Sequence, residues 1–210
     1  MGAWHVLSRR EDDHLSLLSS ELKRLDIGIA ALSEVRRRDY GEIMAGGYTY
    51  YWSRRSDGYH AQGVAVAVSN KLTSMIIEVT PVNEHIMRLR IHHSLDVVSL
   101  VSVFAPTEAS DLIMKDAFYA MLESAVDQCS KRDTLLVLGD FNASIGTDRD
   151  GDETSVGPNG SGTVNQNSTK FLDFARSHGL LVAGSWFQHP QAHHWTWCSN
   201  TAGVAKEIDR

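Results

Sequence analysis

Four side chains in this sequence have types and positions suited to attack on a phosphate ester. Glu34 follows the apolar run Ile27–Leu32, Asp140 follows Thr134–Leu138, and Asp209 closes the strand-like run Val204–Ile208. A carboxylate at the end of a buried strand can point into a cleft while its backbone stays paired. Such groups suit Mg²⁺, which prefers oxygen and keeps several waters beside one or two carboxylates. Asn142 stands two residues after Asp140, and strand alternation would put both on one side with Phe141 turned into the core. Asp140 can then orient or deprotonate water, and Asn142 can hold a phosphate oxygen where negative charge grows. The bland alternatives are surface strand ends and a structural Asx turn. The whole stretch Leu-Val-Leu-Gly-Asp-Phe-Asn-Ala, residues 136–143, weighs against the turn alone.

The elements that must position these groups alternate in period. Leu15, Leu18, Leu22 and Leu25 recur at helical spacing over residues 14–25. Strands are expected at 27–32, 48–52, 63–69, 76–79, 87–91 and 97–104, with Gly46-Gly47 turning into the second of them. A helix over 111–129 presents two apolar rows, Ile113-Ala117-Met121-Ala125 and Met114-Phe118-Leu122-Val126, which together predict a broad buried face. Residues 144–168, rich in Gly, Asp, Asn, Ser and Thr, predict a long surface loop. A short helix around Phe171–Ala175 and strands at Leu180–Ala183, 195–197 and 204–208 complete the pattern. Strands interleaved with helices imply an α/β domain, and the hairpin-like neighbours imply mixed sheets.

At 210 residues and 42% hydrophobic content the chain supports one domain over 1–210. Its 26 acidic and 20 basic residues give a net charge of -6, which excludes nucleic-acid binding by bulk charge alone. A polyanionic substrate would need a local basic rim and a bound cation. Cys129 and Cys198 make no disulfide framework. No apolar run approaches the roughly 20 residues of a membrane span. A soluble, intracellular protein, nuclear or cytoplasmic, with no membrane and no obligate protein partner is the expectation.

Other groups have two readings each. Arg36, Arg37 and Arg38 either line a DNA backbone or form a solvated charge run. Trp195 and Trp197 share a strand face and either stack on a base or fill a core. His189, His193 and His194 lack an acidic or cysteine partner at zinc-ligand spacing.

Read together, the motifs resemble the endonuclease/exonuclease/phosphatase superfamily. Gly139-Asp140-Phe141-Asn142-Ala143 is similar to its hallmark, Ala31-Leu32-Ser33-Glu34 to the motif with its metal-binding glutamate, and Ser102–Glu108 to its Tyr-Ala-Pro-Thr segment. Phe187-Gln188-His189, Trp195-Thr196-Trp197 and Ile208-Asp209 resemble the order in endonuclease domains of non-LTR retrotransposons. The resemblance implies a four-layer α/β sandwich of two packed sheets flanked by helices, acting on DNA. It implies Mg²⁺ or Mn²⁺ on Glu34, water aligned by Asp140, phosphate contacted by Asn142 and the Phe104–Thr107 segment, and a catalytic histidine oriented by Asp209.

Three departures follow from the same resemblance. His5 stands where the family has an asparagine beside the metal. Phe104 replaces a tyrosine whose hydroxyl would reach the phosphate. The Ser-Asp-His strand expected after Asp209 would lie beyond Arg210, so the domain is expected to be incomplete there, and at its N-terminus, with impaired or absent activity. The rival expectations are a non-catalytic scaffold and a phosphoinositide or sphingomyelin hydrolase.

Overall fold

A computed structural model describes residues 1–5, 13–35, 37, 39–53, 63–94, 96–146, 149, 154–159, 163–188, 197–198 and 205–206. Their contacts group into two compact units: residues 1–104 with 121–139, and residues 105–120 with 140–210.

The first unit is built on two sheets. β1 (Gly2–His5), β2 (Ile29–Ser33), β3 (Gly41–Ala45), β4 (Tyr48–Ser53) and β5 (Val64–Ser69) form one sheet in the order β1-β2-β5-β4-β3. β1 runs parallel to β2, reached through α1 (Asp13–Arg24), and the other pairs are antiparallel, so this sheet is mixed. β3 and β4 close over Gly46 and Gly47, both at positive φ, the geometry that matches the strand twist in a two-residue hairpin. β6 (Ile76–Pro81), β7 (Ile86–His92), β8 (Val97–Phe104) and β9 (Thr134–Asp140) form the second sheet in that order.

Alternation along β5 sorts the packing. Val64, Val66 and Val68 face the second sheet and meet Met87, Leu89, Ile91, Val98 and Leu100. Ala65 and Ala67 face the other way, toward Leu15, Leu18 and Leu22 of α1. Large side chains between the sheets and small ones under the helix let both layers close on one strand. Full burial of each valine contributes about 1.5–3 kcal/mol. Tyr50 and Ser19 share a buried hydrogen bond of 2.7 Å, which joins β4 to α1.

In the second unit α3 (Gln166–Ser177) buries Phe171, Leu172, Phe174 and Ala175. Phe171 packs on Phe141 with ring centroids 4.5 Å apart, and Phe174 on Tyr119 at 6.2 Å. Lys170 pairs with Asp116.

The α/β class with two packed sheets is as expected from the sequence, and four expectations are corrected. α2 spans Leu112–Asp127, but only Phe118, Tyr119, Leu122, Ala125 and Val126 of its apolar residues are buried; Ile113 is 80% exposed, and Met114 and Met121 are exposed too. The loop expected at 144–168 is shorter, because α3 starts at Gln166, and Ser155 and Val156 within it are buried. Leu180–Ala183 gives one bridge, Val156 to Val182, followed by a 3₁₀ turn at Ala183–Trp186. β3 has no counterpart among the expected strands. β10 (Trp197–Cys198) and β11 (Ala205–Lys206) pair antiparallel.

Candidate functional site

β9 carries the Asp140 motif to its place. At Gly139 the backbone has φ 145°, and a Cβ there would lie 1.9 Å from the carbonyl oxygen of Val103 on β8. Only glycine allows that approach. One residue on, the Asp140 carbonyl accepts from Ala105 N–H at 2.8 Å. Asp140 is 2% exposed, and its Oδ1 accepts from Asn142 N–H at 2.8 Å. The Asx turn weighed against the chemical reading is therefore present, and it fixes the carboxylate.

Asn142 does not continue the strand alternation: its φ is +48°. Asparagine tolerates this left-handed region better than most residues. Its Nδ2 donates to Ala105 O at 2.9 Å. Its own carbonyl accepts two side-chain amides, Asn165 Nδ2 at 2.9 Å and Asn167 Nδ2 at 3.1 Å. Asn167 Nδ2 also donates to Pro106 O at 2.9 Å. Glu108 completes the arrangement, its carboxylate accepting from the Gln166 and Asn167 N–H groups at 3.1 and 3.4 Å. An acidic group at a helix N-terminus satisfies otherwise unpaired donors and meets the positive end of the dipole. Thr107, in the same segment, is exposed and shares a hydrogen bond with Ser110 at 3.3 Å.

Glu34 and Phe104 belong to the first unit. Glu34 follows β2 directly at φ 58°, also left-handed, and is half-buried. A non-glycine residue held there carries strain that the surroundings must maintain. Phe104 is 4% exposed. Its N–H donates to His85 O at 2.9 Å, and His85 Nδ1 lies 2.6 Å from Phe104 O. A carbonyl only accepts, so His85 carries a proton on Nδ1. Arg37 lies 5.0 Å from the centre of the Trp52 ring, close enough for a cation–π contact. His5 ends β1 opposite Ser33 in register, and Trp197 pairs with Lys206. Arg36, Trp195 and Asp209 lie outside the described residues, as do His189, His193 and His194.

The structure thus joins Asp140, Asn142 and the Ala105–Glu108 segment, and adds Asn165 and Asn167, which lie in the polar stretch 144–168. Asn165-x-x-Ser168 was the available signal: the Asn165 side chain accepts from Ser168 N–H at 3.0 Å, and Ser168 Oγ accepts from Asn165 N–H at 3.0 Å. Among the described residues no three His, Cys, Asp or Glu side chains converge to hold a metal. A closed cage of protein ligands is not offered among them. The single carboxylate of Glu34 fits the sparse mode in which Mg²⁺ keeps most of its waters. No helix among the described residues is long and apolar enough to cross a membrane.

A model of the endonuclease/exonuclease/phosphatase family matches residues 4–204. Over all 210 residues the chain is 28% identical to craniofacial development protein 2 of Tragulus javanicus and 26% identical to that of Bos taurus. It spans 36% and 35% of their lengths, about a third of each. It superposes on an AP endonuclease from Archaeoglobus fulgidus with TM-score 0.68 at 15% identity, covering 99% of this chain and 83% of that one. For the endonuclease domain of TRAS1, a telomere-specific non-LTR retrotransposon, the values are 0.64 and 15%, covering 99% and 81%. Identities this low establish a shared fold alone. The match along residues 4–204 establishes more: the chain belongs to the endonuclease/exonuclease/phosphatase family, which is generally hydrolytic and includes nucleases.

Proposed function

We propose that this chain is a DNA-directed phosphodiesterase of the retrotransposon endonuclease type, dependent on Mg²⁺ or Mn²⁺, with turnover lowered by two of its own residues. The observation that carries the reading is the Asp140–Asn142 turn, where a buried carboxylate accepts from the N–H of a left-handed asparagine at 2.8 Å and two side-chain amides hold that asparagine's carbonyl at 2.9 and 3.1 Å. Nucleases of this family generally use divalent metals. Glu34 would hold the ion, with His5 beside it, and the bound ion supplies positive charge to the phosphate oxygens. Asp140 would align or deprotonate the attacking water, and Asn142 would steady a phosphate oxygen as charge develops. Thr107, Arg36, Trp195 and Trp197 are assigned to the substrate strand, and Asp209 to orienting a histidine.

Two residues argue for slow turnover. Phe104 has no hydroxyl to donate where the family has tyrosine, and losing one such donor costs on the order of 10²–10³-fold. His5 places imidazole where Mg²⁺ prefers oxygen, which favours Mn²⁺.

Nicking of supercoiled plasmid with each metal tests the reading. Weak cleavage, abolished in Asp140→Ala and raised in Phe104→Tyr, is expected. Cleavage that survives Asp140→Ala, or selective hydrolysis of phosphoinositide or sphingomyelin, would overturn it. A non-catalytic scaffold is the second reading, favoured by Phe104 and His5 standing where the family has tyrosine and asparagine. It predicts no turnover even in Phe104→Tyr with His5→Asn.

A further inference from the structure

The N-terminus of α3 spends its side-chain amides in an unusual way. Helix caps normally use a side-chain oxygen to satisfy the first N–H groups. Asn165 does this with Oδ1, which accepts from Ser168 N–H at 3.0 Å. Its other end, Nδ2, reaches out of the helix to the carbonyl of Asn142 at 2.9 Å. Asn167 commits both amide protons in the same direction, to Asn142 O at 3.1 Å and Pro106 O at 2.9 Å. Its Oδ1 is buried and has no hydrogen-bond partner among the described residues. The amide cannot be flipped to relieve this, since Oδ1 would then face two carbonyl oxygens. Asn167 is 1% exposed, so its placement satisfies the carbonyls at the expense of its own oxygen.

We propose that Asn165 and Asn167 are positioning residues that hold Asn142 in its left-handed conformation and thereby aim the Asp140 carboxylate. The inference rests on the hydrolase reading of the Asp140–Asn142 turn and deepens it. The two amides grip Asn142 on its carbonyl side, and Asp140 Oδ1 grips it on its N–H side at 2.8 Å. With both peptide planes held, φ and ψ of Asn142 are set. The Asn142 side chain, tied to Ala105 O at 2.9 Å, and the Asp140 carboxylate are then set relative to each other. Glu108 fixes the helix end from which the two amides reach. Catalytic groups held by such supporting bonds lose rate when geometry drifts by about 1 Å.

Asn165→Asp separates this role from capping. Aspartate caps a helix as well as asparagine does, but it has no proton for Asn142 O. Asn167→Asp removes both donations from a side chain of the same shape. Amide hydrogen exchange reads the Asn142 N–H, and plasmid nicking reads kcat and KM. In both variants Asn142 N–H is expected to exchange ~10-fold faster or more, while Leu100 and Leu122 amides keep their protection. A fall in kcat of ~10-fold or more with little change in KM is expected alongside it. Gln166→Ala, an exposed neighbour, should change neither. If Asn165→Asp keeps a native melting transition with unaltered Asn142 exchange, the proposal is overturned. If Asn167→Asp fails to fold, Asn165→Asp and Asn165→Ser, which also caps, still decide it. If exchange responds but the parent chain cuts no DNA, the positioning stands and the nuclease reading falls on its own.

Discussion

Arg90 grips Asp133 at two points, Nε to Oδ2 at 2.6 Å and Nη2 to Oδ1 at 3.0 Å, and Ser99 Oγ adds a third bond to Oδ2 at 2.8 Å. The hydrogen bonds from Arg90 come first among the causes that pull the Asp133 carboxyl well below its ordinary value of 3.8, to about 2. A carboxylate with a depressed folded-state value stabilises the native state above its unfolded value and loses that contribution as pH falls through the folded one. Arg90→Gln should therefore cost stability at neutral pH, and the gap from the parent should close as pH drops from about 4 to about 2. Urea midpoints for both proteins across that range check it. A gap that stays constant with pH would show that Arg90 acts by packing alone.

At Glu34 the usual order of glycine and alanine should invert. With φ at 58°, any Cβ is strained, and the left-handed region costs roughly 1–2 kcal/mol for residues other than glycine. Glu34→Gly should be more stable than Glu34→Ala by about 1 kcal/mol. Both variants lack the carboxylate, so its own interactions cancel in the comparison. Denaturant unfolding of the pair provides the measurement, and alanine equal to or above glycine would contradict the strained geometry.

Gly139→Ala should be severe. The added methyl would stand 1.9 Å from Val103 O, and the backbone at φ 145° is closed to other residues. Separation of β8 from β9 or loss of the turn would follow, at about 3 kcal/mol or more. A thermal melt within a few degrees of the parent would show that the strands approach less closely.

Buried and exposed apolar residues of α2 should respond in opposite ways. Leu122 is 0% exposed, and Leu122→Ala should cost about 2–5 kcal/mol. Ile113→Ala should fall within about 0.5 kcal/mol of the parent, since Ile113 is on the solvent side. Equal losses would restore the broad buried face read from periodicity.

The contrast along α2 explains what a sequence can disclose here. Apolar recurrence marks a helix, but the rows Ile113-Ala117-Met121-Ala125 and Met114-Phe118-Leu122-Val126 do not disclose that burial cuts across both, taking Ala125 from one and Phe118, Leu122 and Val126 from the other. The stretch 134–143 was legible for the opposite reason. Its apolar run, glycine and following carboxylate each reflect a local backbone requirement, and the structure puts Asp140 at the end of β9 as read. Asn165 and Asn167 were hidden because inward-facing polar residues leave no periodicity. They lie in a polar stretch whose helix start shows only in the Asn165–Ser168 capping pair. β3 was missed because five residues with one half-buried face, Gly41–Ala45, carry too little pattern; only the Gly46-Gly47 turn beside them was visible.

The parallel pairing of β1 with β2 has a consequence in time. Gly2 lies opposite Ala30 and His5 opposite Ser33, so this ladder joins residues 28 positions apart. β3 and β4 meet across two glycines, and β7 and β8 across the short turn between His92 and Val97. Loop closure favours the hairpins over the β1–β2 ladder, whose strands are separated by α1. The β1–β2 ladder is thus expected to form after the two hairpins. Hydrogen exchange of the β1 amides, set against those of β5, reads how far that pairing opens on its own.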